Sequence, residues 1–569
     1  MTSTLPLNIG ITGHRDIPSK DHAKLQKTII DELNSIQKRF PNTTINVLCG
    51  LAEGADQLAA NAALSQNVNV IAVLPFEQSK YEKDFTSPNA LSDFRKLLKR
   101  CTDIRVCQTT AHLQDEEAYS KLGQTLVSCC DIVFALWDGM IEVDKETKTN
   151  NALPGGTADV VTMCVAGIMD ENSLLFSKPN QTYCKWLVTN REQHESLPCT
   201  IASEKEIGTW KKLPISGNQD EAILEDILNK IERFNLDSAM IPQQDKDASV
   251  TYLLGSVEAK ALFPSIQKLI DTYSVADCLA QARQKQRIFS LKLITMLSFI
   301  AIAAQQVYVS LYATVGWFVA HLALVLLVIT IYRLFFAGTE SKEEQFVEWR
   351  VFAENLRVQI FWHIAGIPDK CANNYRTTKF NEMDWIIDNL NKLCFTVDPP
   401  KDANVAFVKE QWIADQRDYF YGEKGKSGRA AQLLSKSNQY KKSSMVFFLL
   451  ALIAMAFSTF KIKLNLLPML SDDMFFIIVA LLFIGSALFK TFSVQMGFEE
   501  LSQRYLRTGY FFQQAINRMD LLDRQKAKGQ THAIEKYQNV IKIIGVEALS
   551  ENAAWLQLHK MNAYQVQIT

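Results

Sequence analysis

Leu7-Asn8-Ile9-Gly10-Ile11-Thr12-Gly13-His14-Arg15-Asp16 decides how the first 200 residues are read: an apolar run of strand length breaks into glycine, then histidine, arginine and aspartate. A strand buried on both faces reads as a continuous apolar run, so Leu7 to Ile11 is expected to be such a strand, with polar chemistry at its carboxyl end. Ile45–Leu48, Val68–Leu74, Ile104–Val106, Ile132–Trp137 and Trp186–Thr189 repeat the pattern, with amphipathic stretches between them. This alternation predicts a doubly wound parallel α/β sheet over residues 1–200.

Ligands on such sheets bind beyond the carboxyl ends of the strands, so three turns carry the functional signal. The first holds Gly13, His14 and Arg15, where glycine allows close backbone approach and the two side chains either meet an anion or brace the loop. The second is Gly50-Leu51-Ala52-Glu53-Gly54-Ala55-Asp56, placed before a helix over 57–64 whose free N–H groups would face a phosphate. Glu53 reads as a ribose hydroxyl acceptor or a partner of Arg15, and Asp56 as a helix cap. The third begins at Trp137-Asp138-Gly139 and resumes at Pro154-Gly155-Gly156-Thr157-Ala158-Asp159, which opens a helix over 160–168. Gly155, Gly156 and Thr157 offer unhindered amides plus a hydroxyl, the strongest phosphate-cradle signal in the chain. Asp138 reads either as an acceptor for a ribose or base, or as a plain Asp-Gly turn. Tyr81 and Phe85 read as stacking partners for a base or, more commonly for isolated aromatics, as core residues, and Arg191 as a surface arginine within reach of the crevice.

Farther along, forty residues from Leu293 to Tyr332 contain no Asp, Glu, Lys or Arg, about twice what one helix needs to cross a bilayer. Two spanning helices are expected there, at 293–308 and 315–335, and a second pair at 443–460 and 474–489. Arg283, Lys285, Arg287, Lys292, Arg333, Lys436, Lys441, Lys442 and Lys490 flank one side, against Lys461 and Lys463 on the other. By the positive-inside rule both termini are cytoplasmic. The numbering shift of 150 that lays Lys292 on Lys442 also lays 356–362 on 506–512, so the hairpins read as parallel repeats. Gln305, Gln306 and His321 fall in or beside the spans, as pore lining or interhelical bonds. The resulting organisation is a ligand-binding domain at 1–200, an extension and linker at 201–280, hairpins at 281–340 and 441–495, a cytoplasmic helical region at 341–440 and C-terminal helices at 496–569.

The chain averages conceal this division. With 569 residues, 60 Lys plus Arg against 61 Asp plus Glu and 48% hydrophobic residues, the composition looks soluble and ordinary. The balanced charge speaks against a broad nucleic-acid surface, so no nucleic-acid polymer is expected as partner. Eleven scattered cysteines without a C-x-x-C pair read as reduced thiols, and dispersed histidines give no metal site. The N-terminus shows no cleavable signal peptide.

The ordered set G-x-T-G-H-R-D, G-L-A-E-G-A-D, L-P-F-E-x-x-x-Y-x-x-D-F over 74–85, A-L-W-D-G over 135–139 and P-G-G-T-A-D resembles the SLOG superfamily. That Rossmann-like fold is shared with LOG phosphoribohydrolases, DprA and the nucleotide-binding region of TRPM channels. The hairpins resemble the SLATT membrane modules that accompany such domains in prokaryotic conflict systems. The resemblance implies a sensor of a nucleotide-derived second messenger, such as a cyclic oligonucleotide or an ADP-ribose-like molecule. The sensor would be joined to a multi-pass effector of the bacterial inner membrane that opens a pore or disrupts the bilayer in antiphage defence. Its implied partners are the messenger, membrane lipids and further copies of the chain. The hydrolase branch carries P-G-G-x-G-T-x-x-E; here the threonine comes early, Asp159 follows, and no Glu lies in the next turn. No catalytic residue is therefore assigned. A membrane-tethered nucleotide N-glycosidase and a membrane scaffold with a protein-binding domain are the alternatives.

Overall fold

The computed structural model describes residues 5–107, 115–140, 154–168, 182–194, 196–198, 202–213, 220–310, 318–319, 321–322, 324–330, 339–374, 384–397, 402–423, 425–464, 472–528 and 534–565. In chain order the first elements are β1 (Leu7–Gly13), α1 (His22–Arg39), β2 (Ile45–Cys49), α2 (Ala55–Ser65), β3 (Asn69–Leu74), α3 (Gln78–Tyr81), α4 (Pro88–Leu98) and β4 (Asp103–Val106). Then follow α5 (Asp115–Cys129), β5 (Ile132–Trp137), α6 (Thr157–Ala166), β6 (Tyr183–Val188), β7 (Trp210–Lys211), α7 (Glu221–Ser238), α8 (Gln243–Leu254) and α9 (Gln267–Ser310). The remainder is helical: α10 (Thr339–Ile364), α11 (Asp384–Phe395), α12 (Val405–Val408), α13 (Asp415–Tyr421), α14 (Arg429–Leu464), α15 (Asp472–Gln495), α16 (Phe498–Ala527) and α17 (Glu535–Gln565).

The chain divides into two compact units. Residues 1–246, 261–275 and 368–399 form the first; 247–260, 276–367 and 400–569 form the second.

In the first unit the strands order as β4-β3-β2-β1-β5-β6-β7. All pairs are parallel except β6 with β7, which meet antiparallel at Trp186 opposite Lys211 and Leu187 opposite Trp210. The sheet is thus Rossmann-like and parallel-dominated, with a short antiparallel edge that the apolar runs do not announce. Strands β2, β3 and β4 extend to one side of β1, and the chain then returns to add β5 on the other, so the topological switch point lies between β1 and β5. Leu7, Ile9 and Ile11 are buried on β1, as are all six residues of β5, because helices cover both faces. Helix α1 presents Leu25, Ile29, Leu33 and Ile36 to the core at helical spacing.

Polar side chains inside the sheet are paired in register. Asn46 Nδ2 donates to Asn8 Oδ1 at 3.0 Å, and Asn69 Nδ2 donates to Asn46 Oδ1 at 3.2 Å, an amide ladder across β1, β2 and β3. Trp186 is buried with its indole N–H donated to the Trp137 carbonyl at 2.8 Å, so a large apolar ring is placed without an orphaned donor.

Three helical stretches are long and apolar enough to cross a membrane: Pro264–Val309, Arg429–Phe457 and Met474–Ala527, all but residues 264–275 belonging to the second unit. They contain the expected spans at 293–308, 443–460 (up to Phe457) and 474–489; of the one expected at 315–335 only 318–319, 321–322 and 324–330 are described, and these are helical. Helices α14 and α15 run antiparallel, since Ser444 meets Ser486, Phe448 meets Phe483, and Phe457 meets Phe475. Ser444 Oγ donates to the Ser486 carbonyl at 2.9 Å and Ser486 Oγ to the Ser444 carbonyl at 2.8 Å. A Cβ on Gly485 would lie 2.8 Å from the Phe447 ring, so close approach here depends on small residues. Apolar side chains such as Met445, Ile453 and Val494 face outward.

Candidate functional site

The carboxyl ends of β1 and β5 flank the switch point, and each ends in one half of a polar pair. The Asp138 amide donates to His14 Nε2 at 3.1 Å, and Asp138 Oδ1 lies 3.2 Å from the same nitrogen. A neutral ring accepts from the amide with its proton on Nδ1; a protonated ring would donate to the carboxylate. Burial works against the Asp138 carboxylate, but His14, the Met140 amide and Arg191 outweigh it and hold its pKa below the usual range. Asp138 therefore stays an acceptor. Its Oδ1 takes the Met140 N–H at 3.1 Å, and His194 stands 4.0 Å from its Oδ2.

The first loop is clasped by the second. Gly54 has φ +76°, and a Cβ there would lie 2.6 Å from the His14 carbonyl oxygen and 2.5 Å from that of Arg15. The Ala55 amide donates to the His14 carbonyl at 3.0 Å and the Gln57 amide to the Ala52 carbonyl at 3.3 Å. Two amides of the first turn of α2 are thus committed within the protein, and the Gly50 to Asp56 turn chiefly positions His14 and Arg15.

The acids of that turn look inward. Glu53 accepts from the Thr86 amide at 2.7 Å and from its hydroxyl at 3.1 Å, which fixes the chain just ahead of α4. Asp56 is buried and accepts from the Ala52 amide at 3.3 Å. Burial pushes its pKa up to about 7, against the opposing pull of the Ala52 amide, the Arg15 charge and the Gly50 amide. Gly50 sits directly above it: a Cβ on Gly50 would come 3.1 Å from Asp56 Oδ2.

The third turn is different. Gly155 has φ +72°, and a Cβ there would fall 2.3 Å from the backbone of Tyr119, so only glycine lets this turn press against α5. The Gly155 amide donates to Asp159 Oδ2 at 2.8 Å, while burial raises the Asp159 pKa against that bond. Among the described residues, the N–H groups of Gly156, Thr157 and Ala158 have no partner. Three open amides at the start of the ten-residue α6 form a concavity suited to an anion.

Tyr119 joins this cradle to the first loop. Arg15 is exposed, its Nη2 donates to Tyr119 Oη at 3.3 Å, and its guanidinium lies 5.7 Å from the ring centroid. The Tyr119 hydroxyl in turn donates to Asp84. Nothing in the sequence marks Tyr119, which sits in an acidic helix start, Asp115-Glu116-Glu117; its placement depends on the Gly155 contact. Arg191 Nε binds Asp16 at 3.0 and 3.2 Å, so it braces the β1 loop. Tyr81 is buried and packs edge-on to Phe85 and Phe94, 5.4 and 5.6 Å between centroids.

Of the residues expected to bind, the structure brings His14 and Asp138 together directly and links Arg15 to Gly155 through Tyr119. Gly13 ends β1 within this loop, and Gly139 (φ +82°) follows Asp138. Glu53, Gly50 and Gly54 support the loop from below. Among the described residues no group of three His, Cys, Asp or Glu side chains is arranged to hold a metal. The arrangement sits at the switch point of a Rossmann-like sheet, with backbone donors, one exposed cation and one fixed carboxylate. Compared with known proteins, the chain matches no family model and no curated protein.

Proposed function

We propose that the chain is a membrane effector whose α/β unit senses a nucleotide-derived second messenger. The observation that carries this reading is the convergence, around β1 and β5, of the open α6 amides with Arg15 and the His14–Asp138 pair. Phosphate oxygens would sit on the Gly156, Thr157 and Ala158 amides under Arg15. Asp138 would accept from a ribose hydroxyl or an exocyclic amine. This division of labour suits a cyclic oligonucleotide or an ADP-ribose-like molecule, because both combine an anion with hydroxyl and base donors.

The membrane part supports the second half of the proposal through its three bilayer-length apolar helices. With the stretch at 315–335 they would make four spans in two hairpins, both termini cytoplasmic, in the inner membrane of a bacterium. Four helices make a poor aqueous pore alone, so the effector would assemble as a homo-oligomer. A ligand shifts such an equilibrium only by binding one state more tightly than the other, and the messenger would favour the open or assembled state. SLOG-type sensing joined to SLATT-type hairpins in antiphage defence fits this scheme. The hydrolytic alternative has less support, since the Asp159 carboxylate is engaged by the Gly155 amide and Asp56 lies beneath the loop.

The test is dye or ion leakage from liposomes containing the full chain, with cyclic oligonucleotides and ADP-ribose derivatives added in turn. Leakage with one member, abolished by Gly156→Glu, is the expected result. Binding of a member without leakage would sink the gating step. Leakage unaffected by Gly156→Glu would remove the crevice from the mechanism.

A further inference from the structure

The second unit contains a partly open cavity of about 350 Å³ lined by helices α8, α9, α10, α13, α16 and α17. Its volume lies within the range of small-ligand pockets, about 300–1,000 Å³. It shares no residue with the switch-point crevice. Three arginines line it: Arg350 and Arg357 from α10, and Arg504 from α16.

Guanidinium groups withdrawn from water are costly unless every charge and donor is answered. Arg357 is 7% exposed; its Nη1 donates to Glu354 at 2.9 Å and its plane lies 5.3 Å from the Tyr252 ring centroid. Arg350 is hydrogen-bonded to Tyr505 and feels the charge of that same Glu354. Glu354 therefore serves both arginines, and Glu551 also feels the Arg350 charge. Asp277, the next acid on the wall, already accepts from Ser249 Oγ at 2.7 Å and Gln281 Nε2 at 2.9 Å.

Arg504 is the residue left over. Its Nη1 is buried and, among the described residues, has no hydrogen-bond partner. Glu551 is the acid that faces it; Glu551 is itself bonded to Thr508, and burial raises its pKa against the pull of that bond and of the Arg504 and Arg350 charges. A buried cationic donor without an acceptor is costly, and an occupant carrying oxygen anions would recover that cost. The helix before α13 widens into a π-turn over Lys409–Ala414, which sets Trp412 in the cavity wall; such turns recur at functional sites.

We infer that this cavity is a second ligand site, taking a phosphate or phosphate-ester group that bridges Arg504 and Arg350. The phosphate could be borne by a soluble metabolite or by the headgroup of an anionic lipid. Both present the same oxygens to the arginines, and the experiment separates them.

Full-length protein in detergent micelles carries the test, with Gly156→Glu in every sample so that the crevice does not report. The melting temperature is followed against inorganic phosphate, with chloride of equal ionic strength as control. In a parallel series the micelles are doped with phosphatidic acid or, as control, phosphatidylcholine. A rise in melting temperature with phosphate identifies a soluble ligand; a rise with phosphatidic acid alone identifies a lipid headgroup. In either case Arg504→Gln should weaken the response about tenfold, the value of one charge-assisted contact. The same variant without ligand should melt no lower than its parent, because it removes a buried donor that has no acceptor. Arg504→Lys, which keeps the charge but loses the planar fork, covers the case in which Arg504→Gln does not fold and should bind more weakly than arginine. No response to either additive, or an undiminished response in the Arg504 variants, would overturn the proposal.

Discussion

Strands β1 and β5 lie side by side, and each end of the pair holds a carboxylate and a cationic or ionisable partner. At the amino end, Asp131 accepts from the Asn8 amide at 2.8 Å and from Lys392 Nζ at 2.8 and 3.1 Å; Lys392 also donates to the Pro6 carbonyl at 3.1 Å. The two side chains are 1% and 0% exposed. At the carboxyl end, His14 and Asp138 are 11% and 4% exposed, with Arg15 and the open amides of α6 on the structures around them. The first pair is sealed and its bonding capacity largely used; the second keeps capacity in reserve. A polar pair at a strand end thus marks a seam or a site according to what remains unsatisfied beside it.

The strongest way to break that contrast is Lys392→Met. It leaves the Asp131 carboxylate buried without its cation, and the first unit should lose about 3–5 kcal/mol in urea denaturation followed by tryptophan fluorescence. Adding Asp131→Asn should restore part of the loss. A cost below about 1 kcal/mol would make the two ends equivalent and refute the distinction.

The next effect concerns Asp56, beneath the open end. Its folded pKa of about 7 exceeds the ordinary 3.8, so between those values the folded state holds a proton that the unfolded chain has released. Stability is therefore lost as pH rises through that window, by about 1 kcal/mol per pH unit at the steepest. Asp56→Asn should flatten the profile, measured as melting temperature against pH. An unchanged slope would place the titration elsewhere.

His14→Ala should have the smallest effect on stability, about 1 kcal/mol, since the contact is partly open. Its signature is functional: affinity for the messenger should fall about tenfold in calorimetry while the melting temperature changes by a few degrees. Loss of folding without a separate loss of binding would make the upper pair a seam like the lower one.

Much of the α/β unit was legible because buried parallel strands write themselves as unbroken apolar runs. Ile132–Trp137 became β5 without adjustment, and the Gly-Gly-Thr turn opened α6 as its residues suggested. Strand β7 was not legible, for two residues have no periodicity. The role of Glu53 was obscured for another reason: its partners Thr86 and Ser87 lie 33 and 34 residues away, and an acid between glycines looks the same whether it meets a ribose or a backbone amide.

By itself, then, the sequence determined the alternating α/β order, the glycine-marked turns at the strand ends and three helical stretches of membrane length, because local apolar periodicity and backbone permissiveness govern all of these. Tertiary structure alone decided which polar groups would be satisfied. Lys392 seals Asp131 across 261 residues of chain, and Tyr119 joins Arg15 to the α6 cradle. Arg504 is left with an unanswered nitrogen inside a cavity built from six helices. Satisfaction of a buried charge depends on partners from distant segments and on the exclusion of water, and neither leaves a periodic trace in the chain.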